Sequence, residues 1–425
     1  MKKTVLTLGL LGALSANAVT FHKADQDFLK QIAKYGITQQ NLDSAEYASV
    51  MNIETHRISD YAVIDNDKDT VVKFEKSDKK LEDLHKLNVT DVDGAQLSAY
   101  EMLRDRMHNN TMVILKDGKL VYEHYWNGSN KDTRHTTFSA GKSFTSSLIA
   151  IAQSEGYLKL TDPVKKYVPE AKGTVIGDYP IEYVADMRSG FALIDTKKNA
   201  YGSDWDSSME DAISWHGDVD TKWIGIKDYT PHLTKLSTKQ GSTFEYHSYN
   251  TELLGLITSR ATGKHWTNYF EDKIWKRVGF ASTATIMVDR EKNPVTSGAL
   301  QMITRDFALM GYIWQNDGKN FKGEQIVPKK WLDDVFKGND DVRSAWLKGK
   351  EAPLAEGFYK DQFRVLNLGG KKWLLAVGVQ GQIIAVQRES KTVIAMFSSY
   401  NVPSSPRMAN GFFHQIIPVL EANIK

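Results

Sequence analysis

The chain has 425 residues, with 54 Lys and Arg, 52 Asp and Glu, and no cysteine. Charges this close to balance give no indication of a nucleic-acid or anionic-membrane partner, and a chain without cysteine has neither disulfides nor a thiolate metal site. Its length allows a large buried core and commonly more than one compact unit.

The first 18 residues have the pattern of a secretory signal peptide. Lysines at positions 2 and 3 precede an apolar run over residues 5–14, and Ala16-Asn17-Ala18 supplies the small residues of a cleavage site. The apolar run is too short to span a bilayer, and no cysteine is present to carry a lipid anchor. We expect cleavage near Ala18 and a periplasmic or secreted bacterial protein without a membrane anchor.

Residues 19–100 form an N-terminal extension to which the sequence assigns no role. The run 65–69 imitates a calcium loop, but Thr70 stands where such a loop needs glycine and Lys76 where it needs a bidentate glutamate, so we interpret it as a surface loop. Ser77 and Lys80 have Ser-x-x-Lys spacing within a run of charged residues, which is typical of a solvated face.

A β-hairpin and a helix are predicted next. Two β-rich runs, 112–115 and 120–125, flank Asp117-Gly118, and Asp-Gly in this setting is a strong hairpin signal. An apolar stripe at helical spacing then follows Ser139 and ends at Gly156. Ser139 is therefore expected at a helix N-terminus, where free N–H groups and the helix dipole favour negative charge.

Ser139 and Lys142 form a second Ser-x-x-Lys pair, at the start of this predicted helix. Residues three apart on a helix share a face, so the lysine amine can reach the serine hydroxyl. Partial desolvation lowers a lysine pKa, and a neutral lysine can activate a serine nucleophile. Gly141-Lys142-Ser143 also looks like the tail of a phosphate-binding loop, but Thr136 stands where that motif needs its first glycine.

Residues 161–289 are predicted to be loop-rich and mostly helical. Tyr246-His247-Ser248 leads into an apolar helix near its end. Tyr246 alone is explained by packing, whereas beside Ser139 and Lys142 it can serve as a base or proton relay. The loop 201–206 offers aromatic and acidic side chains for an acyl or amine subsite, or packs as a surface loop.

Strands return in the last third of the chain, at 372–377, 382–386 and 392–397, before a closing helix at about 405–424. Short strands joined by turns predict an antiparallel sheet. We assign residues 101–160 and 290–425 to a sheet domain and residues 161–289 to a helical domain.

Four stretches together resemble the serine β-lactamase and penicillin-binding-protein superfamily. The likeness is to its class C-like branch, with family VIII esterases and 6-aminohexanoate-dimer hydrolases. Order and spacing agree over roughly residues 110–420. The four stretches are 138–144 around Ser139 and Lys142, 186–191, 246–248 with 253–255, and 378–382.

This resemblance implies an α/β fold of the α+β type, with a central antiparallel sheet, flanking helices and an inserted helical domain. It implies an acyl-enzyme on Ser139, with Lys142 and Tyr246 sharing proton transfer; which takes the first proton stays open. Backbone N–H groups of Ser139 and of Val379 or Gln380 would bind the oxyanion. The implied substrate-binding residues are Ser248, Gly378, Val379, Gln380 and Gly381, with no metal or organic cofactor.

The chain departs from the family pattern in its third motif. No lysine occupies the stretch that begins at Gly378, and Ser248 replaces an asparagine. Both departures favour small esters or linear amides over β-lactams, whose carboxylate needs a cation. The alternatives are a D,D-peptidase or β-lactamase of cell-wall metabolism, and a non-catalytic binding module with the same fold. The oligomeric state is not predicted.

Overall fold

The computed structural model describes residues 18–41, 44–198, 204–217 and 221–425. The predicted signal peptide, apart from Ala18, lies outside the described residues. The strands are β1 Phe21–His22, β2 Tyr61–Ile64, β3 Asn88–Thr90, β4 Gln96–Ser98, β5 Asn109–Lys116, β6 Lys119–Tyr125, β7 Arg134–Thr136, β8 Thr196–Lys198, β9 Asp204–Asp206, β10 Ala284–Met287, β11 Leu300–Ile303, β12 Gly357–Lys360, β13 Phe363–Leu368, β14 Lys371–Gly378, β15 Gln382–Gln387 and β16 Thr392–Ser398.

Helices form most of the segments between the strands. The α-helices are α1 Gln26–Ala33, α2 Ala48–Ile58, α3 Ala99–Glu101, α4 Lys142–Ser154, α5 Ile181–Ala185, α6 Ser207–Ala212, α7 Ile226–Tyr229, α8 Tyr249–Thr262, α9 Trp266–Phe270, α10 Lys276–Val278, α11 Thr304–Gln315, α12 Lys329–Lys337, α13 Asp340–Lys348, α14 Pro406–Ala409 and α15 Ile417–Ala422.

The main sheet has seven strands in the order β12-β13-β14-β15-β16-β5-β6, and each neighbouring pair is antiparallel. The predicted hairpin is β5–β6, and its two turn residues Asp117 and Gly118 have φ of 51° and 74°, as a tight hairpin turn requires. The three strands predicted in the last third are confirmed as β14, β15 and β16. The chain is helical from Pro406 to Ala422, through a π-helical stretch between α14 and α15, so the predicted closing helix is also confirmed.

A second antiparallel sheet has the order β1-β2-β10-β11-β7. The N-terminal extension supplies β1 and β2, and β2 pairs with β10 over four residues, from Tyr61↔Met287 to Ile64↔Ala284. At the other edge β7 ends three residues before Ser139. This sheet therefore connects the N-terminal residues to the segment that carries Ser139.

Helix α4 lies in the protein interior, with every residue from Lys142 to Ala152 buried. Phe144 stacks on Phe307 of α11 and meets Trp314 edge-on. Two buried hydroxyls of α4 are hydrogen-bonded to other elements: Ser143 Oγ donates to the carbonyl of Gln362 at 2.7 Å, and Ser147 Oγ accepts from Trp314 at 3.0 Å. These contacts on two sides hold the helix that carries Lys142 in place.

The fold is thus mixed α/β, with antiparallel sheets flanked by helices, as predicted. The boundaries between a sheet domain and a helical domain stay a prediction. Within the part of the chain that the structure describes, no helix combines the length and the apolar character needed to cross a membrane.

Candidate active site

Ser139 lies on a tight turn at the start of α4. A short 3₁₀ helix, Phe138–Gly141, runs directly into α4. Phe138 has φ of 42°, an uncommon conformation for a bulky residue and one that active sites often hold under strain. A side chain at Gly141 would force Thr137 to shift, because a Cβ would lie 2.8 Å from Thr137 Oγ1. The turn leaves Ser139 partly exposed among buried neighbours.

Lys142 is the centre of the polar contacts around Ser139. Only 1% of its surface is exposed. Its Nζ donates to Ser139 Oγ at 3.0 Å, to Ser248 Oγ at 3.1 Å and to the carbonyl of Ser297 at 2.5 Å. The structure therefore brings together the predicted residues Ser139, Lys142 and Ser248, and it adds Ser297, which no motif in the sequence indicated.

Burial lowers the pKa of Lys142 from 10.5 to about 7. The negative charge of Glu252 opposes this shift, and the positive charge of Arg364 adds to it. Desolvation disfavours the charged form of a lysine, so a large share of Lys142 is neutral at neutral pH. A neutral amine 3.0 Å from a serine hydroxyl can accept its proton.

Glu252 is the buried carboxylate behind Lys142. One of its oxygens accepts from the N–H and the hydroxyl of Thr296, both at 3.0 Å, and the other accepts from the N–H of Ser297 at 2.9 Å. Burial raises the pKa of Glu252. Ser297 thus donates to Glu252 through its N–H and accepts from Lys142 through its C=O. The sequence analysis missed Glu252, whose one signal was a charge within the apolar run that begins α8.

The Tyr246 ring lies near two basic side chains, with its centroid 5.3 Å from Lys142 Nζ and 4.9 Å from the Arg364 guanidinium carbon. Burial raises the pKa of Tyr246, and the charge of Arg364 and a hydrogen bond with Ser139 oppose the rise. The pKa values of Tyr246 and Lys142 therefore move in opposite directions. At neutral pH the tyrosine keeps its proton while much of the lysine is neutral.

Arg364 is held by a carboxylate that the sequence analysis also missed. Its Nε and one terminal nitrogen donate to the two oxygens of Glu351 at 2.7 and 2.6 Å. Such bidentate pairs fix geometry as well as charge. Because the two residues are 13 apart and belong to no motif, only the fold reveals the pair.

The stretch 186–191 supports the loop that carries Tyr246. The carbonyl of Met187 accepts from the N–H of Glu245 at 2.9 Å, and Ser189 Oγ donates to Asn250 Oδ1 at 2.7 Å. These two bonds lie on either side of residues 246–248. The stretch thus positions the loop and does not itself line the cavity at Ser139.

The stretch from Gly378 to Gly381 meets the Ser139 turn through backbone contact. A Cβ on Gly378 would lie 2.5 Å from the carbonyl oxygen of Thr137, so only glycine fits there. The N–H of Gln380 donates to the carbonyl of Pro403 at 2.8 Å and is already occupied. Of the two oxyanion donors expected from the sequence, Val379 is therefore the better candidate. Gly381 packs against Ser398: a Cβ added to Gly381 would lie 2.8 Å from Ser398 Cβ.

A cavity of about 240 Å³ opens beside Ser139. Among the described residues that line it, Lys142 is the one lysine or arginine, while Asp206 and Glu210 supply carboxyl groups. Asp206 accepts from the hydroxyl of Tyr229 and from the N–H of Met209, and burial raises its pKa. Residues 201–203 of the predicted subsite loop lie outside the described residues. The lining is Phe138, Ser139, Lys142, Leu193, Asp206, Met209, Glu210, Ile213, Trp215, Tyr246, His247, Ser248, Tyr249, Ser297, Gly298, Val379, Gln380, Pro403 and Ser404.

The other motif-like segments lie at the surface. Lys80 of the first Ser-x-x-Lys pair is exposed, and Ser77 Oγ accepts from the N–H of Lys79 at 3.1 Å. In the run 65–69, Asp67 Oδ1 accepts from the N–H of Asp69 at 3.0 Å, a local turn. Among the described residues, no group of three or more His, Cys, Asp or Glu is arranged to hold a metal ion.

Known proteins share this architecture over most of the chain. A 6-aminohexanoate-dimer hydrolase of Paenarthrobacter ureafaciens is 27% identical over 305 residues, which cover 70% of this chain and 74% of that protein. A Bacillus anthracis protein, described as a candidate 6-aminohexanoate-dimer hydrolase, matches with a TM-score of 0.76 and 24% identity, over 89% of this chain and 95% of its own. A family VIII carboxylesterase matches with a TM-score of 0.55 and 13% identity, over 76% and 94%.

The fold is that of the serine β-lactamase and penicillin-binding-protein superfamily. A family model for beta-lactamase matches residues 100–415. The chain therefore belongs to the beta-lactamase family, a family of hydrolases whose members include amide-cleaving and ester-cleaving enzymes.

Proposed function

We propose that this protein is a serine hydrolase that cleaves small amides or esters through an acyl-enzyme on Ser139. The observation that carries the proposal is the 3.0 Å contact between Ser139 Oγ and the amine of Lys142, whose pKa burial lowers to about 7. A serine becomes a nucleophile when a base within hydrogen-bond reach can take its proton at the working pH.

In the first half of the reaction, neutral Lys142 takes the Ser139 proton as Oγ attacks the substrate carbonyl carbon. The N–H groups of Ser139 and Val379 receive the resulting oxyanion, and each such donor is typically worth about 3 kcal/mol. The proton then passes from Lys142, directly or by way of Tyr246, to the leaving amine or alcohol. In the second half, water attacks the acyl carbon and the same groups take its proton. They return this proton to Ser139 Oγ as its bond to the acyl carbon breaks, which releases the acid and restores the serine hydroxyl.

The charges around the cavity support a neutral or cationic substrate. A β-lactam carboxylate requires a cationic partner, and such charge-assisted bonds contribute about 1.5–3 kcal/mol. Lys142 is the one lysine or arginine among the described lining residues, and it already serves Ser139. A carboxylate would instead meet Asp206 and Glu210. The family VIII carboxylesterase among the structural neighbours agrees with an ester substrate.

The test of the nucleophile is covalent labelling. Intact-mass spectrometry after treatment with a fluorophosphonate should give one adduct on the wild type and none on Ser139→Ala, while Ser77→Ala labels like the wild type. An adduct that persists in Ser139→Ala would overturn the assignment. A wild type that neither labels nor turns over any ester would favour the binding-module alternative.

The test of the substrate class is a rate comparison under one set of conditions. We expect kcat/KM for short-chain p-nitrophenyl esters or small linear amides to exceed that for nitrocefin by at least about tenfold, which corresponds to about 1.4 kcal/mol of transition-state preference. Equal or faster turnover of nitrocefin would restore the alternative of a β-lactamase or D,D-peptidase.

We further propose that the protein acts in the periplasm or outside the cell. The support is the signal-peptide pattern of residues 1–18. N-terminal sequencing of the protein recovered from cell fractions checks this: a mature start near Val19 in an exported fraction is expected, and an intact Met1 in the cytoplasm contradicts it.

A further inference from the structure

Helix α2 of the N-terminal extension contacts the turn that carries Val379 and Gln380. Asn52, on the buried face of α2, is 1% exposed. Its Nδ2 donates to Gln380 Oε1 at 2.7 Å and lies 3.5 Å from the carbonyl oxygen of Ser398. Asn52 lies outside the family match, which begins at residue 100, so this contact belongs to the part of the chain that the family description omits.

The helix is itself fixed to strands β11 and β7 of the second sheet. Gln301 of β11 donates through Nε2 to the carbonyl of Ile53 at 2.6 Å, and the hydroxyls of Thr55 and Thr136, the last residue of β7, lie 2.7 Å apart. Both contacts are buried or partly buried. Asn52 is therefore presented to Gln380 from a rigid support.

Gln380 needs such support because its backbone is unfavourable. Its φ is 61°, and a non-glycine residue in the left-handed region costs about 1–2 kcal/mol. Its N–H donates to Pro403 at 2.8 Å, and its C=O accepts from Tyr400 at 3.1 Å. Gln380 lines the cavity and is 1% exposed. With Oε1 held by Asn52, both the backbone and the amide of Gln380 have one orientation.

We propose that Asn52 is a positioning residue for the hydrolase reaction. By fixing Gln380, it fixes the Val379–Gln380 peptide and so restricts rotation about Val379, whose N–H, in the Gly378–Val379 peptide, is the proposed oxyanion donor. The inference rests on the proposed function, since it assigns Val379 the oxyanion. It also gives the N-terminal extension a role in catalysis, because α2 supports the turn that carries the proposed oxyanion donor.

The test is Asn52→Leu, which keeps the approximate volume of the side chain and removes the donor. We expect kcat/KM for p-nitrophenyl acetate to fall about tenfold. This is less than the factor of about 10²–10³ that loss of an oxyanion donor costs. The loss should be in kcat, and KM should change by less than about twofold. Ile58→Val is the matched control: Ile58 is 1% exposed on the same helix, and the substitution removes one methylene from the core without removing a side-chain hydrogen bond. This variant should lower Tm comparably while kcat/KM stays within about twofold.

A double-mutant cycle separates positioning from simple destabilisation. In a Gln380→Leu background, Asn52→Leu should reduce kcat/KM by less than about twofold, because the partner through which it acts is gone. Independent, multiplying losses would overturn the proposal, as would a loss in Ile58→Val as large as that in Asn52→Leu.

Fluorophosphonate labelling rates keep the two proposals apart. If the wild type does not label, the proposed function itself fails. If the wild type labels on Ser139 and Asn52→Leu labels at the same rate, the function stands and the positioning role of Asn52 is wrong.

Discussion

The protonation of Lys142 should set the acid limb of the pH profile. A lysine base acts only when neutral, so kcat/KM should fall about tenfold per unit below the pKa, which lies at about 7. The charged or titratable groups that face Lys142 are Glu252, Arg364 and Tyr246. Glu252 raises the pKa of Lys142, so Glu252→Gln should lower that pKa and move the acid limb to lower pH.

The pH dependence of kcat/KM on an ester substrate measures this shift. Glu155→Gln, at the far end of α4, is the control and should leave the limb unmoved. If the acid limb of Glu252→Gln stays at the same pH or moves to higher pH, Glu252 does not raise the pKa of Lys142.

At the scale of single residues, the sequence predicted what is encoded locally. Ser139 and Lys142 are three apart on one helix, so their contact follows from helix geometry alone. Glu252 and Arg364 approach the site from α8 and β13, and nothing in their neighbourhood in sequence distinguishes them from ordinary charged residues. The choice between Val379 and Gln380 also depended on Pro403, which lies in a loop over 20 residues further along.

The last residue of β14, Gly378, makes a close backbone contact with the Ser139 turn, and this contact can be tested. Gly378 has no space for a Cβ, which would lie 2.5 Å from the carbonyl oxygen of Thr137. Gly378→Ala should therefore push β14 away from the Ser139 turn and reduce kcat/KM by about a hundredfold, the cost of a misplacement of about 1 Å. Steady-state kinetics with an ester substrate checks this.

Gly370→Ala, just before the same strand, is the control. A Cβ there meets nothing within 4 Å, but φ is 77°, so the substitution should cost about 1 kcal/mol of stability and leave kcat/KM unchanged. Equal kinetic losses in both variants would mean that strand β14 is sensitive as a whole and that the contact with Thr137 is not special.

Strands and hairpins could be predicted where the turn between them contains residues that favour that turn. Asp117-Gly118 predicted β5–β6 because both positions need positive φ, which Asp and Gly tolerate. The turn between β12 and β13 was not predicted. Asp361 and Gln362 there have φ of 46° and 63°, and the conformation is held by distant partners: Gln362 accepts from the hydroxyls of Ser143 and Thr251, both at 2.7 Å.

For the whole molecule, the structure makes the N-terminal extension part of the core. In β2, Ile64 is fully buried against β10 and its neighbour Val63 is only partly buried. Ile64→Ala should lower the free energy of unfolding by about 2–5 kcal/mol, and Val63→Ala should cost much less. Thermal unfolding measures both. Equal, small shifts of Tm would mean that β2 is a loose attachment to the second sheet.

The central pairing of the main sheet has a consequence for synthesis of the protein. Strand β5 pairs with β16 along its whole length, from Lys116↔Thr392 to Asn109↔Ser398. During synthesis, residues 109–116 therefore leave the ribosome almost 300 residues before the strand with which they pair. Contacts this distant in sequence slow folding. A nascent chain that has not yet released β16 has an open sheet and an unformed cleft, so hydrolytic activity should appear only near the completion of synthesis.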